Sequence, residues 1–147
     1  NVWTSGAVRQ LLERETMRAF HQQTPLTVVM VELASFDDIE REYGAPAADA
    51  LLAELSRALG SVVRAYDTIG RAGEKQFLVI LPNADQAKAQ GIMAKLRRAC
   101  SLLMFMPKDE VVEISVRLGS DTADFRTRTP EPASMIEAAT RNMSETV

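Results

Sequence analysis

Hydrophobic positions along this chain follow two different periods, and the change of period divides it into predicted helices and strands. Apolar residues recur every three to four positions in segments that predict helices, namely residues 8–20, 46–63, 86–104 and 133–146. Short, mostly apolar runs bounded by turn residues predict strands at residues 26–33, 68–72, 77–81 and 111–118. Residues 121–132 are mostly polar and contain two prolines, which is typical of a loop.

The order of these segments predicts the fold class. It reads helix, strand, helix, two strands, helix, strand, helix, and its middle part is the βαββαβ order of the ferredoxin-like folds. In such α+β folds the strands form a central antiparallel sheet with flanking helices, which we expect to pack on one face of the sheet. A chain of 147 residues suits one domain of this kind.

Composition and charge narrow the range of functions. A net charge of −3 provides no overall basic field, so we expect no nucleic-acid partner. No apolar run approaches the roughly 20 residues that cross a bilayer, so we expect no membrane contact by this domain itself. The single cysteine, Cys100, lies in an apolar helical pattern, which predicts a buried and unreactive thiol. Because the chain does not begin with Met, we expect it to be part of a longer, multidomain protein.

Two short motifs around one predicted strand carry the candidate chemistry. The tetrad Arg64-Ala65-Tyr66-Asp67 precedes residues 68–72, and the pentad Gly73-Glu74-Lys75-Gln76-Phe77 follows them. This arrangement resembles the GGDEF (diguanylate cyclase) family, in which an RxxD tetrad stands five residues before Gly-Gly-Asp/Glu-Glu-Phe. Other positions match the family pattern without a gap, namely Phe36, Ile39, Tyr43, Gly44, Asp49 and Leu52. Residues 1–147 are therefore identified as one GGDEF domain, whose palm-like core agrees with the predicted order of elements.

The resemblance implies that the pentad once held metal and GTP. Here its two acidic positions are Lys75 and Gln76, and its second glycine is Glu74, while Gly73 remains. An ammonium about 4 Å from a metal ion costs roughly 4 kcal/mol per unit charge on the ion at an effective dielectric of about 20. We therefore expect a degenerate pentad, no metal cofactor and no diguanylate cyclase activity.

Other positions that the family uses for catalysis differ as well. Glu32 remains at the end of the first predicted strand, but the second acid of that strand is Ala34. Glu40 stands at a guanine-contacting position that is usually Asn, and a carboxylate lacks the donor of the amide. Asp49 matches the other guanine contact, although it also suits a solvated acid near a helix N-terminus. The resemblance thus defines a former active site at Glu32, Glu40, Asp49, Gly73, Glu74, Lys75 and Gln76.

The intact tetrad implies that the family's inhibitory site for cyclic di-GMP persists. An Arg such as Arg64 matches the O6 and N7 acceptors of guanine, and a carboxylate such as Asp67 matches its N1 and N2 donors. Lys95 stands where the family often has an arginine, and it can neutralise phosphate but cannot stack or form a fork. Arg98 adds charge, and Arg18 falls where a second subunit lends an arginine. We therefore expect the ligand to favour a homodimer.

These observations favour a catalytically inactive, cytoplasmic GGDEF domain that binds cyclic di-GMP and passes its occupancy to an unidentified downstream protein. One alternative is a nucleotide-independent interaction or dimerisation module, in which Arg64 and Asp67 form only an exposed ion pair between residues three apart. Another is a regulatory domain that binds GTP through Lys75, although the chain has no glycine-rich cradle beside it. Residual cyclase activity is a further alternative.

Overall fold

The computed structural model describes residues 2–126, 129 and 131–145, and within them the chain forms five helices and five strands. The helices are α1 (Ser5–Gln22), α2 (Phe36–Tyr43), α3 (Ala45–Gly60), α4 (Gln86–Ser101) and α5 (Pro132–Arg141). The strands are β1 (Leu26–Leu33), β2 (Thr68–Gly73), β3 (Gln76–Pro82), β4 (Val116–Ala123) and β5 (Ser144–Glu145). None of these described helices combines the length and apolar composition that a bilayer crossing requires.

The strands form one sheet in the order β2-β3-β1-β4-β5, and every neighbouring pair is antiparallel. Strands β1 and β2 are therefore parallel to each other with β3 between them, and β3 and β4 are parallel with β1 between them. This is the split βαβ arrangement of the ferredoxin-like folds. The predicted α+β class and the central antiparallel sheet are confirmed.

One face of the sheet packs against α2, α3 and α4. Alternate residues of β1 point to this face because side chains along a strand alternate between its two sides. The buried cluster there includes the following residues of β1, α3 and α4: Val29, Val31, Leu33, Leu51, Leu55, Leu59, Leu96 and Cys100. The predicted burial of the Cys100 thiol is confirmed.

The other face of the sheet packs against α1 and α5, so the expectation that the helices cover only one face was wrong. The intervening residues of β1 and β3 are also apolar and buried, including Val28, Met30, Leu78 and Ile80. A strand with apolar residues on both sides must be covered on both faces, and the continuous apolar runs of β1 and β3 carry this signal. Helix α1 approaches β2 so closely that a side chain at Gly70 would collide with Val8.

Helix α2 was missed by the period analysis, which placed only one helix between the first two strands. It spans eight residues and buries Phe36 and Ile39 against the first face. Gly44 separates it from α3 with a φ of 92°, a backbone conformation that side-chain-bearing residues rarely adopt. The short length of α2 left too few repeats for the pattern to be recognised.

The predicted bounds of four segments, α4 and the three segments that follow it, also need correction. Strand β4 lies five residues later than predicted, because its register with β1 runs from Val116 opposite Leu33 to Ala123 opposite Leu26. The predicted loop therefore begins after Ala123, and α4 ends at Ser101 rather than residue 104. Helix α5 stops at Arg141, and β5 then pairs with β4; residue 146, the last of the predicted helix, lies outside the described residues.

Candidate functional site

The tetrad forms a tight turn between the end of α3 and the start of β2. The Asp67 carboxylate accepts the backbone N–H of Arg64 at 2.6 Å, and the Asp67 backbone N–H donates to the Arg64 carbonyl at 3.0 Å. The same carboxylate accepts the Arg64 Nε at 3.0 and 3.1 Å and Nη2 at 2.9 Å. Arg64 Nη2 also donates to the carbonyl of Pro82 at the end of β3, at 2.9 Å. Backbone and side chain together therefore fix the guanidinium.

The two tetrad side chains have different access to solvent. The Asp67 side chain is 0% exposed, whereas that of Arg64 is 23% exposed. In this arrangement the Asp67 carboxylate holds Arg64 and is closed to solvent. The ion pair between Arg64 and Asp67 is therefore partly buried, unlike the exposed pair that the interaction-module alternative assumes.

Arg64 keeps part of its donor capacity despite these bonds. Among the described residues, its Nη1 nitrogen has no acceptor, while Nε and Nη2 are bound to Asp67 and Pro82. The hydrogen bonds that Arg64 donates to Asp67 are the main reason that the pKa of Arg64 is raised above its ordinary value. The charged guanidinium is therefore only partly exposed, and it also interacts with the neighbouring Tyr66 side chain.

A shallow depression of about 340 Å³ lies beside the tetrad turn, between it and α4. We call it the tetrad depression, and it is lined by Arg64, Tyr66, Lys88, Gly91, Ile92 and Lys95. The Arg64 guanidinium lies over the Tyr66 ring, 4.6 Å from its centroid. Arg64 and Lys95, both predicted site residues, thus line the same depression, and Lys88 lines it as well. The signal for Lys88 was its spacing of seven residues from Lys95, which places both on one side of a helix.

The other predicted basic residues lie elsewhere. Arg98 is exposed on α4, three residues after Lys95, but does not line the depression. Its neighbour Arg97 turns toward the sheet and donates to the carbonyl of Leu118 at 3.1 Å. Arg18 lies on α1 and pairs with Glu15 at 3.0 Å, on the opposite face of the sheet from α4. Within one chain, Arg18 is therefore separated from the tetrad depression.

The pentad lies at the turn between β2 and β3, where two side-chain contacts connect it to β1 and α2. Lys75 Nζ donates to Asp37 at 2.9 Å, and Gln76 Nε2 donates to Glu32 at 3.0 Å. The other Glu32 oxygen lies 3.9 Å from Arg117 Nη1. We call these five residues the pentad cluster. The hydrogen bond to Asp37 is the main reason that the pKa of Lys75 is raised.

The pentad cluster does not fit a divalent cation. Mg²⁺ requires several oxygen ligands in octahedral geometry, with few positive charges nearby. Both acids of the cluster already contact a cation or an amide of the same chain, and Lys75 and Arg117 supply two positive charges. The cluster is therefore neutralised by its own side chains.

Two members of this cluster were missed by reasoning from the sequence. Asp37 lies in the first turn of α2, and α2 itself was not predicted. Arg117 faces Glu32 across the β1–β4 ladder, and Gln76 faces it across the β1–β3 ladder. The register of a sheet is the signal that identifies such neighbours, and the predicted bounds of the fourth strand were too inaccurate to supply it.

The remaining predicted positions lie outside this cluster. Glu40 is half-buried on α2 and Asp49 is exposed on α3, and neither side chain forms a hydrogen bond or ion pair within the described part of the chain. Gly73 ends β2, where an added Cβ would lie 3.3 Å from the Gln76 side-chain oxygen. Glu74 is exposed, and its carbonyl accepts Arg71 Nη2 at 2.6 Å.

Comparison with known protein families agrees with this architecture. Residues 5–146 match the family described as diguanylate cyclase, GGDEF domain. This match covers nearly the whole chain. The protein therefore belongs to the GGDEF family.

Individual relatives are similar at a moderate level. Diguanylate cyclase A of Treponema denticola is 24% identical over 120 residues, which cover 82% of this chain and 32% of that protein. The GGDEF domain of DgcB from Caulobacter crescentus, solved in complex with c-di-GMP, aligns with a TM-score of 0.86 at 18% identity, covering 96% of this chain and 82% of that one. Diguanylate cyclase SiaD from Pseudomonas aeruginosa, solved with its activator SiaC, aligns with a TM-score of 0.85 at 21% identity, covering 95% and 52%. The chain spans about a third of the length of the first curated relative.

Proposed function

We propose that this protein is a catalytically inactive GGDEF domain that binds cyclic di-GMP at the tetrad depression and transmits its occupancy to a partner. The observation that carries the proposal is the fixed Arg64 guanidinium, which is held by the buried Asp67 side chain and remains partly exposed beside two lysines. A rigid, charged donor loses little conformational entropy when it binds an anionic ligand.

The inactive state follows from the charges of the pentad cluster. Joining two GTP molecules requires metal ions that neutralise the triphosphates and activate a hydroxyl. Lys75 instead neutralises Asp37 at 2.9 Å, and Glu32 is bound by Gln76 and faces Arg117. Glu40 stands at a position where the family usually uses an amide to contact guanine. The former active site therefore suits neither the coordination of a metal ion nor the recognition of the guanine base of GTP.

Ligand binding at the tetrad follows from complementary chemistry. Cyclic di-GMP carries two guanines, each with two acceptors on one edge, and two anionic phosphates. Arg64 Nη1 offers donors to a guanine edge. Lys88 and Lys95 offer ammonium groups to the phosphates, and neither forms an ion pair among the described residues. The depression thus presents a base-recognising donor and two phosphate-binding cations on one side of the domain.

Calorimetric titration with cyclic di-GMP tests the receptor function. We expect saturable binding to the wild-type chain and a ten- to hundred-fold loss of affinity for Arg64→Ala, since a charged contact contributes about 1.5–3 kcal/mol. The matched control is Arg41→Ala, which removes another arginine paired to an aspartate three residues away, at 2.7 Å from Asp38 and outside the depression. Asp49→Ala should also bind as the wild type does. Absence of heat at high ligand concentration would refute the receptor function.

Incubation with GTP and either Mg²⁺ or Mn²⁺ tests the loss of catalysis. We expect chromatography to detect no cyclic di-GMP above a blank without protein. Formation of product that Glu32→Ala abolishes would overturn this part of the proposal. The two experiments are independent, because a receptor and a cyclase use different residues of this domain.

We further propose that the ligand assembles two copies of the chain. Arg18 is too far from the depression of its own chain, so it can contribute only from a second one. Light scattering should show a dimer at saturating cyclic di-GMP, and Arg18→Ala should weaken the dimer more than the primary binding. A mass that stays monomeric at saturation would exclude the bridge and leave the primary site intact.

A second candidate function is a protein-interaction module that needs no nucleotide. The observation that favours it is an exposed group of apolar side chains on the connection between α4 and β4: Leu102, Met104, Met106 and Val111. Contiguous exposed apolar surface often marks a protein-binding site. If cyclic di-GMP does not bind, this surface is where substitutions such as Met104→Ser should be tested for their effect on partner binding.

A further inference from the structure

Gly91 is an unusual residue for its place in the fold. It lies in the interior of α4, where glycine is less favourable than alanine because it leaves the backbone more conformational freedom to lose. A Cβ built at this position meets no atom within 4 Å, so the packing of the chain does not require glycine there. The chain's own structure therefore gives no reason for the missing side chain.

The tetrad depression supplies a reason. Gly91 lies on its surface between Lys88 and Lys95, which are three residues before it and four residues after it on the same side of α4. Without a side chain at Gly91, the helix backbone is open to close approach by a flat group. The volume of about 340 Å³ lies near the lower end of the range of ligand pockets, about 300–1,000 Å³, which suits one base better than a whole dinucleotide.

Tyr66 supplies an aromatic surface at the same place. It is 58% exposed, although it carries a large ring, and the Arg64 guanidinium over the ring restrains it. Exposed aromatic side chains serve as stacking platforms for nucleobases. Lys95 cannot provide such a platform because an ammonium is neither planar nor delocalised.

We propose that Tyr66 and Gly91 form a slot for one guanine base, with Lys88 and Lys95 binding the phosphates on either side of it. The base stacks on the part of the Tyr66 ring that the Arg64 guanidinium leaves exposed and passes over the bare backbone of Gly91, so that the guanidinium lies beside the slot. Lys88 thereby joins the binding residues. This inference rests on the proposed binding of cyclic di-GMP, and it assigns the base contact to Tyr66 and Gly91 in addition to Arg64.

Paired substitutions at the two slot residues test the slot by titration with cyclic di-GMP. Gly91→Ala should raise the thermal midpoint, because alanine favours the helix, and yet weaken binding at least ten-fold. Gly6→Ala is the matched control: Gly6 also lies in a helix with open space around a built Cβ, so its substitution should leave binding unchanged. Tyr66→Leu should weaken binding about ten-fold, whereas Tyr66→Phe should stay within three-fold, since only the ring stacks.

A charge substitution completes the design. Lys88→Gln should weaken binding several-fold and reduce its salt dependence, whereas Lys108→Gln, which removes an exposed lysine outside the depression, should do neither. If the wild type binds and Arg64→Ala does not, but Gly91→Ala and Tyr66→Leu bind as the wild type does, the slot is wrong and the receptor function stands. If the wild type itself fails to bind, both proposals are overturned together.

Discussion

The tetrad and the pentad cluster each contain a basic side chain held by an aspartate at 2.9 Å, but the two pairs leave the cation in different states. In the tetrad the carboxylate of Asp67 is buried and Arg64 is partly open. In the pentad cluster the Asp37 side chain is 66% exposed and that of Lys75 is 33% exposed. One aspartate is thus a structural anchor, and the other is a surface counter-ion.

The chemistry of the two cations extends this difference. A guanidinium has five N–H donors in a rigid plane, so Arg64 can be anchored through Nε and Nη2 and still offer Nη1. The Lys75 ammonium is a single compact charge, and its pairing with Asp37 neutralises both groups. An anchored arginine can therefore still donate hydrogen bonds to a ligand. The ion pair between Lys75 and Asp37, in contrast, neutralises the carboxylate that could coordinate a metal ion.

Removal of each aspartate should separate the two pairs most clearly. Asp67→Ala leaves the Arg64 backbone N–H and Nε without an acceptor and the guanidinium with only the Pro82 carbonyl, and we expect a loss of about 2–3 kcal/mol in the free energy of unfolding. Asp37→Ala removes an exposed ion pair, for which about 1 kcal/mol or less is expected. Urea unfolding of both variants measures the difference, and equal losses would contradict the assignment of Asp67 as the structural anchor. Affinity for cyclic di-GMP should fall only for Asp67→Ala.

Charge reversal at the pentad cluster should raise the affinity for a divalent metal ion above that of the natural chain. Lys75→Glu places a third carboxylate near Glu32 and Asp37, and Mn²⁺ at ten times its dissociation constant would then stabilise the fold by about 1.4 kcal/mol. Thermal unfolding with and without Mn²⁺ measures the gain. Lys75→Gln is the control, because it removes the cation without adding a carboxylate. Equal stabilisation of the wild type would show that Lys75 does not exclude the ion.

The same variant should not regain catalysis. Glu40 and Ala34 remain unsuited to guanine and metal, so even the triple change Glu74→Gly, Lys75→Glu and Gln76→Glu should yield no cyclic di-GMP by chromatography. Substantial product from that protein would show that the pentad alone accounts for the inactivity that we propose.

Those parts of the fold that the spacing of apolar residues determines could be predicted from the sequence. The two periods placed the core elements in the right order, and order alone is enough for the split βαβ topology. Helix α2 was missed because eight residues contain too few repeats, and the bounds of β4 were wrong because its register with β1 sets them. The second layer of helices could have been expected, since β1 and β3 are apolar at nearly every position.

The candidate site was predictable only in part. The spacing of Arg64 and Asp67 indicated a shared role, but it carried no information on which side chain would be buried. That distinction arises from backbone hydrogen bonds in the turn and from Pro82, which is 18 residues away from Arg64. Likewise, Asp37 meets Lys75 across 38 positions of sequence, and only the folded sheet brings them together.

The response to high pH gives the smallest but most selective difference between the two pairs. The raised pKa of Lys75 means that its pair with Asp37 stabilises the fold fully below the ordinary lysine pKa of about 10.4, and that this contribution is lost as pH rises through the folded value. Arg64 remains charged over the same range, so the tetrad contribution persists. A double-mutant cycle of Lys75→Ala and Asp37→Ala should therefore show a coupling free energy below about 1 kcal/mol at pH 8 and none well above the raised pKa.

The Cys100 thiol titrates in the same alkaline pH range as Lys75, and its contribution must cancel in the measured coupling free energy. Burial raises the pKa of the Cys100 thiol to about 11 in the folded domain. As the pH rises, the thiol therefore ionises in the unfolded chain before it ionises in the folded one. This stabilises the unfolded state, so the whole domain should lose stability at alkaline pH. Cys100 lies on the buried side of α4 and is present in all four proteins of the cycle, so its contribution cancels in the coupling. A parallel cycle of Arg64→Ala and Asp67→Ala should keep its larger coupling at the same pH. Loss of both couplings together would mean that the two aspartates hold their cations in the same way.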